Sequence, residues 1–351
     1  MSERKAADHG PAGVGVLGGS GYIGAEILRY LSIHPGVRIA WATAHSRRGE
    51  AIGDVLPNLR GVVAGEFSTQ NEAEARIGEV AAVFVALPHN ESQTVIPRLA
   101  AAHPHVVFID MAGDFRTDDP QGYARYYGSE HVAVDWLPRF VYGLTEFQRA
   151  RLDGARLIAN PGCFATSILL ALAPLAEAGR LRGDVCVTGV TGSSGSGNKP
   201  TSTTHHPERA TNVRAYKPLV HQHLLEVDSF LRSRGDGDFR LQFVPQSGPF
   251  VRGIFTTTFC PGIGRAELRE IYDRAYGGEP LVFVVDDSPD LRWVQGSPRS
   301  FVGVAGTERD GVVFCALDNL GKGAASQGIQ NLNRALGRDE TDGLLLAAGF
   351  V

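Results

Sequence analysis

Residues 13–24 read GVGVLGGSGYIG, and AEILRYLSIHP (25–35) follows with apolar side chains at helical spacing. A short apolar run, a cluster of glycines and then a helix is how a strand–loop–helix unit begins. Gly19-Ser20-Gly21-Tyr22-Ile23-Gly24 satisfies G-x-G-x-x-G at that junction. Such glycines permit a tight turn and let a pyrophosphate approach the helix N-terminus closely. Gly18, Ser20, Gly21, Tyr22, Ile23 and Gly24 are therefore candidate dinucleotide contacts.

Outward from this loop the pattern repeats. VRIAWATA (37–44), VAAVFVALP (80–88), HVVFIDMAG (105–113) and ARLIANPGC (155–163) are β-like runs, with helical segments between the first of them. The runs are nearly all apolar, as strands buried on both faces are. Strands alternating with helices predict an α/β fold, a Rossmann-type doubly wound parallel sheet. Near residue 160 the style changes. FATSILLALAPLAEAGRL (164–181) reads as an amphipathic helix. DVCVTGVTG, FRLQFVPQ, GIFTTTFCP, PLVFVVD and DGVVFCALDN then supply closely spaced strand signals for a second, mixed or antiparallel sheet. AELREIYDRAYGG (266–278) is a helix within that run, and AASQGIQNLNRALG (324–337) is a last helix able to return to the first domain. GSSGSGNKPTSTT (192–204) is expected to be a mobile loop.

Composition narrows the function classes. With 34 basic and 38 acidic residues the formal charge is −4, which disfavours nucleic acid as the main ligand. No stretch approaches ~18 uninterrupted apolar residues, so no spanning helix and no membrane partner are expected. MSERKAADHGPAG at the start lacks an apolar core, and residues 1–12 read as a disordered leader. Four cysteines are too few for a disulfide scaffold and imply a reducing, cytoplasmic setting.

The end of the second strand points to the kind of dinucleotide. From Val37 to Gly49 there is no acidic residue, and Ser46-Arg47-Arg48 closes the run. A hydroxyl and two guanidinium groups suit a 2′-phosphate, so NADP is expected in preference to NAD. Among the cysteines, Cys186, Cys260 and Cys315 read as buried structural thiols. Cys163 differs, because Asn160-Pro161-Gly162-Cys163 stands between a strand and a long helix. Amides and dipole at a helix N-terminus favour a thiolate and lower its pKa. A polar cluster, His205-His206-Pro-Glu-Arg209 to Arg214-Ala-Tyr216-Lys217-Pro-Leu-Val-His221-Gln-His223, offers partners. In an extended segment His221 and His223 would share a face. No carboxylate or cysteine at ligand spacing completes a zinc site, so no metal is expected. Acid–base service to Cys163, with Arg and Lys holding an anion, is the alternative.

GGSGYIG, NPGCFAT, GSSGSG, RAYKPLVHQH, PFVRGIF and DNLGKGAASQ occur in this order. Together they resemble the N-acetyl-gamma-glutamyl-phosphate reductases, relatives of the aspartate-semialdehyde dehydrogenases, from about residue 13 to 340. The resemblance implies an NADPH-dependent reductase of an acyl phosphate, acting in arginine biosynthesis through a cysteine thioester. It implies an NADP-binding Rossmann domain over 13–162 plus 321–351 and an inserted α+β catalytic and dimerisation domain over 163–320, usually in a homodimer or homotetramer. Cys163 matches the nucleophile, and His221 and His223 match the H-x-H pair, with His221 preferred as acid/base. Asn319 matches a contact near the nicotinamide. Arg116, in Asp114-Phe115-Arg116, is the candidate phosphate or carboxylate ligand, with Asn160 and Lys217 beside it as substrate candidates. Thr145 stands where the family often has proline. The HHPER and RAYKP segments also resemble paralogues whose aminoadipyl phosphate is linked to an amino-group carrier protein, so that protein is a second candidate partner.

Overall fold

The strand expected at 13–17 runs from Ala12 to Leu17 (β1) in the computed structural model, which describes residues 10–349. The expected leader is thus shorter at its end, since Ala12 is already paired; residues 1–9 lie outside the described part. Five further strands join β1: Val37–Ala42 (β2), Ala82–Val85 (β3), Val107–Asp110 (β4), Val141–Tyr142 (β5) and Leu157–Ala159 (β6). They form one parallel sheet in the order β2-β1-β3-β4-β6-β5. The order reverses at β1, and a crevice opens there at the carboxyl ends of the strands.

Helices cover both faces. Tyr22–Leu31 (α1) packs Ile27 and Leu28 on one face with Val14 and Val16. Ser92–Ala102 (α2) packs Val95, Ile96 and Leu99 on the other with Leu17, Val83 and Val85. Alternate residues of one strand therefore feed two separate cores, which is why the runs read as continuously apolar. Pro120–Tyr127 (α3) and Thr145–Leu152 (α4) follow in the long connections.

The second sheet is mixed, with seven strands: Gly183–Thr191 (β7), Arg214–Ala215 (β8), Phe239–Ser247 (β9), Ile254–Cys260 (β10), Val282–Asp286 (β11), Ser300–Gly306 (β12) and Gly311–Leu317 (β13). Their order is β11-β12-β13-β10-β7-β9-β8. Cys163–Glu177 (α5), His223–Arg232 (α6) and Arg265–Tyr276 (α7) all pack on one face of it. Every residue from Phe164 to Ala176 in α5 is buried. The amphipathic reading of that helix is corrected: it is apolar all round because it is enclosed on all sides. The other face of the sheet carries Phe255, Phe259, Val312, Phe314, Phe301 and Phe283, alternate to the core positions, with Phe259 51% exposed. The segment from Asp287 to Trp293 lies over part of that face, Trp293 meeting Phe301 edge to face at 5.4 Å, while α5, α6 and α7 pack on the opposite one. Cys186 also lies there and is exposed, not buried as its strand context suggested.

The chain returns to the first sheet through a π-helical turn, Gly321–Ala325, and a last helix, Ser326–Ala335 (α8). Helix α8 packs against α1, α4 and β4. Arg252 bridges the two sheets' elements: it donates to Glu26 of α1 (2.8 Å) and to Asp318 just past β13 (2.9 Å). No helix among the described residues is long and apolar enough to cross a membrane.

Candidate active site

The glycine loop forms the floor of a cleft of about 820 Å³ between the two sheets. Gly18 takes φ 81°, the left-handed region that favours glycine, and a Cβ there would overlap the Ala86 carbonyl. Helix α1 begins after Gly21 with no side-chain cap. A Cβ on Gly21 would meet only the Gly18 carbonyl, at 3.6 Å, so the space in front of the helix N-terminus is open. Such a terminus offers unpaired N–H groups to an anion. The loop thus fits a dinucleotide pyrophosphate. Thr43, just past β2, ties that strand to the loop: its carbonyl accepts from Gly19 N–H (2.8 Å) and its Oγ1 from Gly18 N–H (3.1 Å). Ser46, Arg47 and Arg48 follow on an exposed turn at the same edge. Arg47 is held only loosely, by Glu50 at 3.5 Å.

Cys163 opens α5 on the opposite wall. The expected lowering of its pKa is overturned. Burial pushes the thiol up to about 11, against the opposing pull of Arg116 and of the amides of Phe164 and Cys163. The helix terminus acts, but removal of the anion from water outweighs it here. A base is therefore required to make the thiolate.

Around the thiol lies a buried ionic network of which the sequence displayed only part. Arg116 donates through Nε to the Asn160 carbonyl (2.7 Å), through Nη2 to the Met111 carbonyl (3.0 Å), and through Nη1 to Glu226 (3.4 Å). Glu226, on α6, also accepts from Tyr142 OH (2.6 Å) and from Gly162 N–H (3.1 Å). Asn160, expected at the substrate, uses its side chain within the protein: Nδ2 donates to the Ala324 carbonyl (3.1 Å) and Oδ1 accepts from Asn331 (3.0 Å). It positions the loop before Cys163. Thr145, in the place of a proline, joins the same system by donating to Asn331 and accepting from Gln327, each at 2.8 Å. Behind Arg116, burial together with Asp114 pushes the Asp110 carboxyl up to about 7.

The histidine pair is not on an extended segment. Lys217 (φ 43°) and Leu219 (φ 62°) are non-glycine residues in the left-handed region. Such a turn is strained and belongs to sites that need it. It brings His221 to the start of α6, and His223 is that helix's first residue. The two rings still meet edge to face, 4.7 Å between centroids. His221 Nδ1 accepts from the His223 backbone N–H (3.2 Å). His223 Nε2 stands 3.9 Å from Glu226, and its Nδ1 is buried without a partner. Gly162 leaves room for this ring, since a Cβ there would collide with His223. Burial drives His221 down to about 2 and His223 well below the usual imidazole value. Both are neutral in the fold. Lys217 is exposed at the rim, where Nζ donates to Gln222 (3.0 Å).

Asn319 closes the cleft from the far side. Its Oδ1 accepts from Gly253 N–H (2.7 Å) and its Nδ2 donates to Ser194 Oγ (2.9 Å). Ser194 is buried and Ser193 and Ser194 bond to the Phe250 and Val251 carbonyls, so the first part of the expected mobile loop is held in place. Gly323 of the π-turn packs against Cys163 Cβ, and the turn is anchored by buried Lys322, paired with Glu146 at 2.5 Å. The sequence reading missed His89, Tyr142 and Glu226. Glu226 lies three residues after His223, a helical spacing that could have revealed it.

Residues 13–155 match the family described as semialdehyde dehydrogenase, NAD binding domain, and residues 163–319 match semialdehyde dehydrogenase, dimerisation domain. An N-acetyl-gamma-glutamyl-phosphate reductase of Methanopyrus kandleri is 42% identical over 342 residues, covering 94% of this chain and 97% of that protein. A [LysW]-L-2-aminoadipate 6-phosphate reductase of Deinococcus radiodurans is 38% identical, covering 94% and 96%. The crystal structure of aspartate semialdehyde dehydrogenase II from Vibrio cholerae shares the fold, with TM-score 0.70 at 16% identity over 93% of this chain and 99% of that one.

Proposed function

The chain belongs to the semialdehyde dehydrogenase family, in its N-acetyl-gamma-glutamyl-phosphate reductase branch, as an NAD(P)-dependent oxidoreductase, and from that premise we propose that it reduces N-acetyl-L-glutamyl 5-phosphate to the 5-semialdehyde with NADPH, in arginine biosynthesis. The observation that carries this reading is Cys163 at the head of α5, facing a cleft that also opens onto the N-terminus of α1.

A histidine takes the Cys163 proton, and the thiolate attacks the acyl carbon. The phosphate leaves and a thioester remains on Cys163. A reduced nicotinamide bound in the cleft supplies hydride for its reduction. The resulting thiohemiacetal collapses to the aldehyde and returns the thiolate. His223 is the better base, in place of the preferred His221, because its Nδ1 has no partner whereas His221 Nδ1 already serves a backbone amide. Arg116 and Glu226 orient the strand-to-helix corner, and Gly18–Gly24, Ser46–Arg48 and Asn319 hold the dinucleotide. The aromatic face of the second sheet, half-exposed at Phe259, is the seat of a homodimer contact.

A carrier-linked aminoadipyl phosphate is the second reading, favoured by the exposed Lys199, His205, His206, Arg214 and Lys217 near the cleft mouth. A side-by-side assay of NADPH oxidation with the free and the carrier-linked acyl phosphate separates the two. Turnover of neither would overturn the acyl-phosphate reading.

A further inference from the structure

Buried and half-buried cations in this protein come with carboxylates. Arg116 has Glu226, Arg252 has Glu26 and Asp318, and Lys322 has Glu146. Arg209 breaks this pattern. It is 8% exposed and lines the cleft. Its Nη2 donates to the Thr191 carbonyl (3.2 Å), while its Nε is buried with no partner. No carboxylate pairs with it among the described residues, its chain neighbour Glu208 included, and the groups whose charges act on it are a second arginine, Arg214, and Tyr216. Arg214 and Tyr216 line the same cleft. Two guanidinium groups facing one space, one of them withdrawn from water, are unfavourable until an anion joins them. Guanidinium matches the spacing of carboxylate and phosphate oxygens.

We propose that Arg209, with Arg214 beside it, is an oxyanion receptor for the substrate, on the wall of the cleft that also carries Tyr216 and His221. The inference rests on the acyl-phosphate reading above. Such a substrate brings two oxyanions of this kind, its reacting phosphate and the carboxylate at its other end, and Arg209 grips one of them. The arrangement differs from Arg116, whose guanidinium is already engaged by Glu226 and two carbonyls.

The reverse reaction tests this, because semialdehyde and inorganic phosphate enter as separate substrates. In the full-length enzyme, Arg209→Met is expected to raise the KM of one of them ~10- to 150-fold, the loss of one charged hydrogen bond. The KM for NADP should not move, and Arg209→Lys should recover part of the loss. A rise for phosphate assigns the receptor to the leaving group; a rise for semialdehyde assigns it to the carboxylate. If neither KM rises, or all constants worsen together with a fall in Tm, Arg209 merely props Thr191 and the proposal is overturned. Should the unaltered enzyme fail to turn over, the functional reading fails. Calorimetry with inorganic phosphate and with N-acetylglutamate then decides the receptor. Binding lost in Arg209→Met supports it; no binding, or equal binding, overturns it.

Discussion

At the scale of single residues, Cys163 divides binding from chemistry. Cys163→Ser should retain NADPH affinity, measured by fluorescence titration, and lose turnover, because a hydroxyl is a far weaker nucleophile than a thiolate at neutral pH. Near-normal activity would remove the covalent mechanism. The histidines make a second prediction. His221, His223 and His89 are each neutral in the fold, with pKa values lowered chiefly by burial. Unfolded, they titrate near ~6.5. Below that pH the unfolded chain binds more protons, so stability present above it is lost as pH falls. The urea midpoint should drop between about pH 8 and about pH 5, and His221→Phe should make the drop shallower. An unchanged slope would show that His221 is not the group being titrated. What the sequence made legible here was the corner that carries Cys163, since Asn-Pro-Gly-Cys stands between a strand and a helix. Glu226 and Tyr142 were not legible as a site. They are 84 residues apart and meet only when α6 folds over the corner.

At the scale of elements, the proposed choice of NADP is tested at the turn after β2. Arg47→Ala with Arg48→Ala should raise the NADPH dissociation constant ~10- to 150-fold, one charged hydrogen bond to a 2′-phosphate at ~1.5–3 kcal/mol. NADH has no such phosphate, and its binding should barely change. Equal weakening of both in titrations would make these arginines general charge donors. The long strands of both sheets and the dinucleotide loop were readable because apolar period and glycine spacing are local signals. The two-residue strands β5 and β8 were not. Arg214–Ala215 pairs with the end of β9 by contacts across the chain, and nothing in its own composition favours a strand. The dipole argument for Cys163 failed for a related reason. It counts the helix's own amides and cannot see how deeply the helix is enclosed.

At the scale of the whole molecule, the aromatic face of the second sheet makes the last prediction. Phe259→Glu places a charge on a half-exposed position of β10, so it should leave the fold intact and break the homodimer contact proposed there. Light scattering should then give the mass of a single chain; an unchanged mass would put the contact elsewhere. Helix α5 has a different consequence. Its body is buried in the core of the second sheet, and its first residue is the proposed nucleophile. The nucleophile therefore has no freedom to wander with changing ligands, and drift of the protein toward longer or shorter substrates must leave it where it is. Such drift is free to act on residues 196–217, which are mostly exposed and form part of the rim. Exchanging that segment between relatives would be a graft of appetite onto a fixed jaw.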